Sequence, residues 1–193
     1  MPHFFFADNT VLVNFAILGE SETLRCVVGT RGQWTYTVSC EWENTLKSPA
    51  CPDMVERPDW ARAFGAPVQP TPAERVDTKV IANGMRKPGE TDSGKHGGEA
   101  ETIAIILSRD IAGVLLTDDH DAARTARARG VQAAGTGHLI AMAEALGIVG
   151  HEKALGWLAA LWDSNRVLGD DLNTAEAYHR YVQYLQSNRG SRS

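Results

Sequence analysis

Strand and helix signals alternate along the body of this sequence, and acidic residues recur where a strand signal gives way to a helix. Together these predict an α/β fold, a three-layer α/β/α sandwich around a central, mostly parallel sheet, with C-terminal helices added. The 193 residues, 43% hydrophobic and 22% charged, suit a globular chain with a genuine core.

Phe4 to Ala7 is an apolar run ended by Asp8-Asn9-Thr10, after which Val11, Leu12, Val13, Phe15, Ile17 and Leu18 carry an apolar helix to Gly19. Asp8 therefore stands at the carboxyl end of a buried strand and in an N-cap position. Ser21 to Val28 reads as a second helix. Trp34 to Val38, β-branched and aromatic, reads as a strand, and Cys40 to Leu46 as a helix, so Glu43 falls at or just past another strand-to-helix junction.

Residues 48–98 hold Pro49, Pro52, Pro58, Pro67, Pro70, Pro72 and Pro88 among many glycines and charges. They read as an irregular insert in which Trp60 to Phe64 and Val76 to Met85 form helices and Lys87 to Gly97 a mobile loop. Glu99 to Leu107 is a helix with an acidic first turn, the favourable polarity for the helix dipole. Gly113 to Thr117 is the clearest buried strand and runs into Asp118-Asp119-His120-Asp121 and a helix over Ala122 to Arg129. Val131 to Ala134 is a last short strand and His138 to Leu146 a helix. Residues 1–150 form one domain and 151–193 a helical extension, with amphipathic helices at Glu152 to Trp162 and Thr174 to Leu185 before a frayed polar end.

Cys26, Cys40 and Cys51 form no CxxC pair, and an odd number excludes a fully paired framework, so a reducing cytoplasm is expected. The apolar opening reaches Asp8 too soon for a signal peptide and no run has the length of a membrane span, so neither export nor membrane insertion is expected. The net charge of -5 gives no overall electrostatic pull on nucleic acid, which argues against a protein held to it by charge alone but not against an acidic enzyme with a local basic rim.

Ligands of open parallel sheets bind outside the carboxyl ends of the strands, which brings Asp8 and Asp118 together. Glu43 and Glu99 or Glu101 can join them from helix starts. About four carboxylates around one pocket repel one another unless a cation compensates, and magnesium or manganese, taking oxygen ligands and bridging to phosphates, is the natural one. Such a site activates water for in-line attack on phosphorus. Taken singly, each acid reads as a helix cap or first-turn residue; the ordered set at strand ends is what points to chemistry. An aspartyl phosphatase wants a second Asp two residues after the first, where this chain has Thr10. A phosphoacceptor domain wants an acidic pair near the first strand.

The segments Asp8 to Phe15, Gly98 to Ala104, Leu115 to Asp119, Ala123 to Ala126 and Gly135-Thr136 together resemble PIN-domain nucleases, in particular the toxin ribonucleases of bacterial toxin-antitoxin pairs. The resemblance spans roughly Phe4 to Val149 and leaves Pro49 to Lys95 unmatched. It implies a metal-dependent endoribonuclease with Asp8, Glu43, Glu99 or Glu101, and Asp118 as catalytic metal ligands, Asp119 as an extra ligand and Thr117 as a polar support. Asn14 and Thr136 match polar positions without an assigned step. Glu41 competes with Glu43 and Glu99 with Glu101; residues two apart on a helix diverge, so one of each pair should face the pocket and the other solvent. Lys79, Arg86, Lys87, Lys95 and His96, with Arg124, Arg127 and Arg129, are candidate phosphate contacts. RNA as substrate, an antitoxin protein covering the acidic pocket, and a homodimer follow from the same resemblance. The alternative is a catalytically inactive PIN-like module that binds RNA or a protein partner.

Overall fold

The chain runs β1 (Phe4–Ala7), α1 (Asn9–Leu18), α2 (Ser21–Val28), a 3-10 turn, β2 (Gly32–Gln33), α3 (Tyr36–Lys47), α4 (Trp60–Phe64), α5 (Pro72–Met85), α6 (Gly97–Ser108), β3 (Gly113–Leu116), α7 (His120–Ala128), β4 (Gln132–Ala134), α8 (Thr136–Ala145), α9 (His151–Asp163) and α10 (Ala175–Gly190). This is a computed structural model, and it describes residues 3–49, 53–87, 89, 95–166, 168, 172 and 174–190.

The four strands form one parallel sheet in the order β2-β1-β3-β4. Successive side chains point to opposite faces, and both faces are covered. Phe5 and Ala7 of β1, with Val114 and Leu116 of β3, enter one core; Phe6 and Leu115 enter the other. Burial on both sides is why these strands read as unbroken apolar runs. The first core takes Leu12 and Phe15 of α1, Leu24 of α2, Leu139 of α8, Trp157 and Leu161 of α9, and Tyr178 of α10. The second takes Ile81 and Met85 of α5, Ile103 of α6, and Ala122 and Ala126 of α7. The result is an α/β fold compatible with a three-layer α/β/α sandwich, in which α9 and α10 share a core with the strands.

The strand expected over Trp34 to Val38 is not there. Only Gly32–Gln33 pairs with β1, Thr35 makes a single bridge to Val68, and a helix begins at Tyr36. Two interactions override the local β propensity. Val38 and Trp42, four residues apart, are both buried on one helical face. Thr37 donates its amide and hydroxyl to the Glu101 carboxylate at 2.9 and 2.8 Å, so a distant acid caps this N-terminus where Thr35 makes no cap bond. β2 is also tied to glycine, because a Cβ on Gly32 would lie 2.6 Å from the Phe64 ring and 2.7 Å from Val28.

Helix α5 starts four residues ahead of the expected Val76, with Pro72 in its first turn and a reciprocal capping box between Thr71 and Glu74. Cys51 and, within the expected mobile loop, residues 88 and 90–94 lie outside the described residues. Cys26 and Cys40 are free thiols. Among the described residues no helix is long and apolar enough to cross a membrane.

Candidate metal centre

Because β1 and β3 are parallel neighbours, with Ala7 opposite Leu116, the residues that follow them leave the sheet at one edge. Asp8, 2% exposed, is the N-cap of α1 and accepts the amide and hydroxyl of Thr10 at 3.1 and 2.8 Å. Burial pushes its carboxyl above the usual range against those bonds, and Asp118 adds repulsion. The Thr10 hydroxyl also accepts the Asp118 amide at 3.3 Å, which couples the two strand ends.

Asp119 caps α7, its Oδ1 accepting the Ala122 amide at 2.8 Å, while its own amide donates to Thr117 Oγ1 at 3.1 Å. Its Oδ2 lies 3.6 Å from Nδ1 of His96. His96 stands at the N-cap of α6 in the left-handed region, φ 62, and is buried. One turn on, Glu99 points the same way. His96, Glu99 and Asp119 each offer one ligand atom within 4.8 Å of the others.

Two further acids, Asp8 and Glu41, crowd this group. Glu41 of α3 accepts the Gly98 amide at 3.1 Å, yet burial, and then repulsion from Asp8, push its carboxyl up to about 8. Glu99 is raised well above the ordinary 4.5, first by burial and then by Asp8, with Glu41 and Asp119 contributing. The approach of α3 to α6 depends on Gly98, where a Cβ would come 2.8 Å from both Glu41 Oε2 and Val38 Cγ2.

Asp118 lies beside this group and is held differently. Its Oδ1 accepts the Thr136 amide at 2.8 Å, and its Oδ2 accepts Asn14 Nδ2 at 2.9 Å and the Thr136 hydroxyl at 2.5 Å. The polar positions Asn14 and Thr136 therefore hold Asp118, and Thr117 holds Asp119.

Glu43 does not join the acids. It is exposed and pairs with Lys47 at 3.4 Å, because Glu41 shares the Thr37 and Val38 face of α3 while Glu43 lies on the opposite side. Glu101 diverges from Glu99 as expected of residues two apart, but it does not reach solvent. Residues 98–106 are all buried, so the far side of α6 also meets protein, and Glu101 caps α3 there.

A cleft of about 430 Å³ opens beside the acids, with Lys87, Lys95, Asp118, Asp119 and Arg166 among its lining residues. Of the candidate phosphate contacts, Lys87 and Lys95 reach it, whereas Lys79 and Arg129 are exposed elsewhere, Arg124 pairs with Asp121 at 2.6 Å and Arg127 donates to the Ala133 carbonyl. The sequence places His96 among the phosphate contacts, and its spacing of three from Glu99 is the available sign of a shared face. Arg166 carried no sign at all. No family model, curated protein or solved structure matches this chain.

Proposed function

We propose that this chain is a metal-dependent endoribonuclease of the PIN type, hydrolysing RNA phosphodiester bonds with magnesium or manganese held by His96, Glu99 and Asp119 and flanked by Asp8 and Glu41. The observation that carries this reading is the crowding of buried acids without a cation: among the described residues no basic side chain pairs with Asp8, Glu41 or Glu99. The donor set fits a hard divalent cation, and the one imidazole nitrogen favours manganese over magnesium. A cation there supplies water activation near neutral pH and neutralises charge developing on phosphate. The chain's own part is to fix the ligands: Thr10 and Thr117 orient Asp8 and Asp119, and the Asn14–Thr136 pair anchors the strand end through Asp118.

The same reading makes the chain a cytoplasmic toxin whose antitoxin covers the acidic edge, with a homodimer as the working form. Co-purification of a short partner that suppresses cleavage tests the first, and mass in solution the second. A second reading, a catalytically inactive PIN-like module that binds RNA or a protein, draws support from Asp118, whose carboxylate is already occupied by three donors. Cleavage of a mixed RNA pool separates the two. With manganese or magnesium the wild type is expected to cut, chelator to stop it, and Asp8→Asn or Glu99→Gln to slow it by roughly 10²- to 10⁴-fold. Folded, partner-free protein that cuts nothing in either metal would sink the nuclease reading.

A further inference from the structure

Helix α9 ends in a Schellman turn. Asn165 takes a left-handed φ of 53, and its amide donates to the Trp162 carbonyl at 2.9 Å; the Arg166 amide donates to the Leu161 carbonyl at 2.9 Å. Asparagine is among the few residues that tolerate this conformation. The turn reverses the chain toward the carboxyl edge of the sheet, where Arg166 Nε donates to Asn14 Oδ1 at 2.6 Å. A residue 152 positions away in sequence is thereby tied to the side chain that holds Asp118.

Arg166 is half-buried and lines the cleft beside the acids, together with Lys87 and Lys95. Among the described residues the bond to Asn14 is the one hydrogen bond its side chain makes, and a guanidinium has five N–H donors in a planar fork. Asp118, held by Asn14 and Thr136, adds an electrostatic pull on this guanidinium. The charge is therefore oriented by Asn14 and directed at the cleft, alongside a group of acids of opposite sign. A phosphodiester needs that juxtaposition, with cationic donors for its non-bridging oxygens next to the centre that attacks phosphorus.

We propose that Arg166 is the phosphate-holding residue of this cleft, taking the non-bridging oxygens of a single-stranded RNA backbone through its outward N–H groups while Asn14 fixes its plane. It is a positioning residue. The proposal deepens the nuclease reading and rests on it for the reaction, but not for binding.

The test is fluorescence anisotropy of a labelled single-stranded RNA decamer on the full chain, in calcium so that the acids are neutralised, over a series of salt concentrations. Arg166→Gln should weaken binding by about tenfold, the scale of one charge-assisted contact. It should also lower the slope of log affinity against log salt by about 0.7, the value for one phosphate contact on a single strand. A merely structural arginine would lower the melting temperature and leave that slope unchanged. Should the glutamine variant not fold, Arg166→Lys serves: the charge keeps the slope, and loss of the fork weakens binding several-fold. Wild-type affinity in a folded variant, an unchanged slope in folded Arg166→Gln, or no binding by the wild type overturns the proposal. Tighter binding of a 5′-phosphorylated than of a 5′-hydroxyl decamer overturns the backbone assignment in favour of a terminal phosphate. Arg166-dependent binding without cutting leaves the proposal standing and removes the nuclease; cutting with an unaltered KM in Arg166→Gln does the reverse.

Discussion

Glu74 and Glu99 sit on packed neighbouring helices and are almost equally buried, 3% and 7% exposed, yet their surroundings drive them in opposite directions. Glu74 receives the Arg109 guanidinium on both oxygens, at 2.7 and 2.8 Å, and the Thr71 amide at 2.7 Å; these hold its carboxyl at about 2. Among the described residues Glu99 has no such fork, and burial with Asp8, Glu41 and Asp119 raises its carboxyl well above the usual range. Where this fold uses a buried acid for stability it supplies the matching donors. At the edge of the sheet Asp8 and Glu41 accept only amide and hydroxyl donors, and among the described residues no basic side chain pairs with them or with Glu99, an imbalance that a bound cation would offset.

Four substitutions or conditions sharpen that contrast. The largest effect on stability is expected from Arg109→Met, which strands Glu74 without its fork. Because the arginine is partly exposed, the cost should be about 2–3 kcal/mol, below the range for a fully buried pair. Urea unfolding at pH 7 measures it. The depressed carboxyl also fixes the pH window: the pair stabilises the fold above about 4.5, and its contribution fades as pH falls toward about 2.

The acidic group should behave in the opposite sense. Glu41 is raised from 4.5 to about 8, so in chelator folding takes up a proton across that interval and stability falls as pH climbs from about 4.5 to 8. With allowance for its partial exposure the loss should be about 2 kcal/mol, read as a declining Tm and recovered at pH 8 by millimolar manganese. A metal-free Tm that stays flat over this range contradicts the electrostatic picture. The next effect is smaller and the most diagnostic in sign. Glu99→Gln should stabilise the metal-free protein at pH 8 by about 1 kcal/mol by removing like-charge repulsion, although it removes a candidate ligand. Glu43→Gln, at an exposed position, should change stability by less than about 0.5 kcal/mol.

The sequence made the strand ends legible because apolar runs stopped at Asp8 and Asp118, and a parallel sheet has only one carboxyl edge on which they can meet. The helix that begins near residue 97 was legible from other local signals, an acidic first turn at Glu99 and a strand close behind it that needs a crossover. Trp34 to Val38 was misread because its fate depends on Glu101, more than sixty residues away, and on Trp42 packing beneath the helix. The preference for Glu43 over Glu41 followed from that error, since moving the helix start changes which side of α3 meets α6. His96 and Arg166 depend on single left-handed residues, His96 itself and Asn165, that turn the chain into the site. No periodic signal encodes such turns.

The most direct test of the central claim, that the crowded acids form a divalent cation site, is equilibrium manganese binding at pH 7.5, with free manganese followed by its electron paramagnetic resonance signal. The wild type and Glu43→Gln should take up manganese, while Glu99→Gln and Asp119→Asn, shown folded by circular dichroism, should lose that uptake. Folded wild type that leaves millimolar manganese free, or Glu99→Gln that binds as well as wild type, would contradict the account.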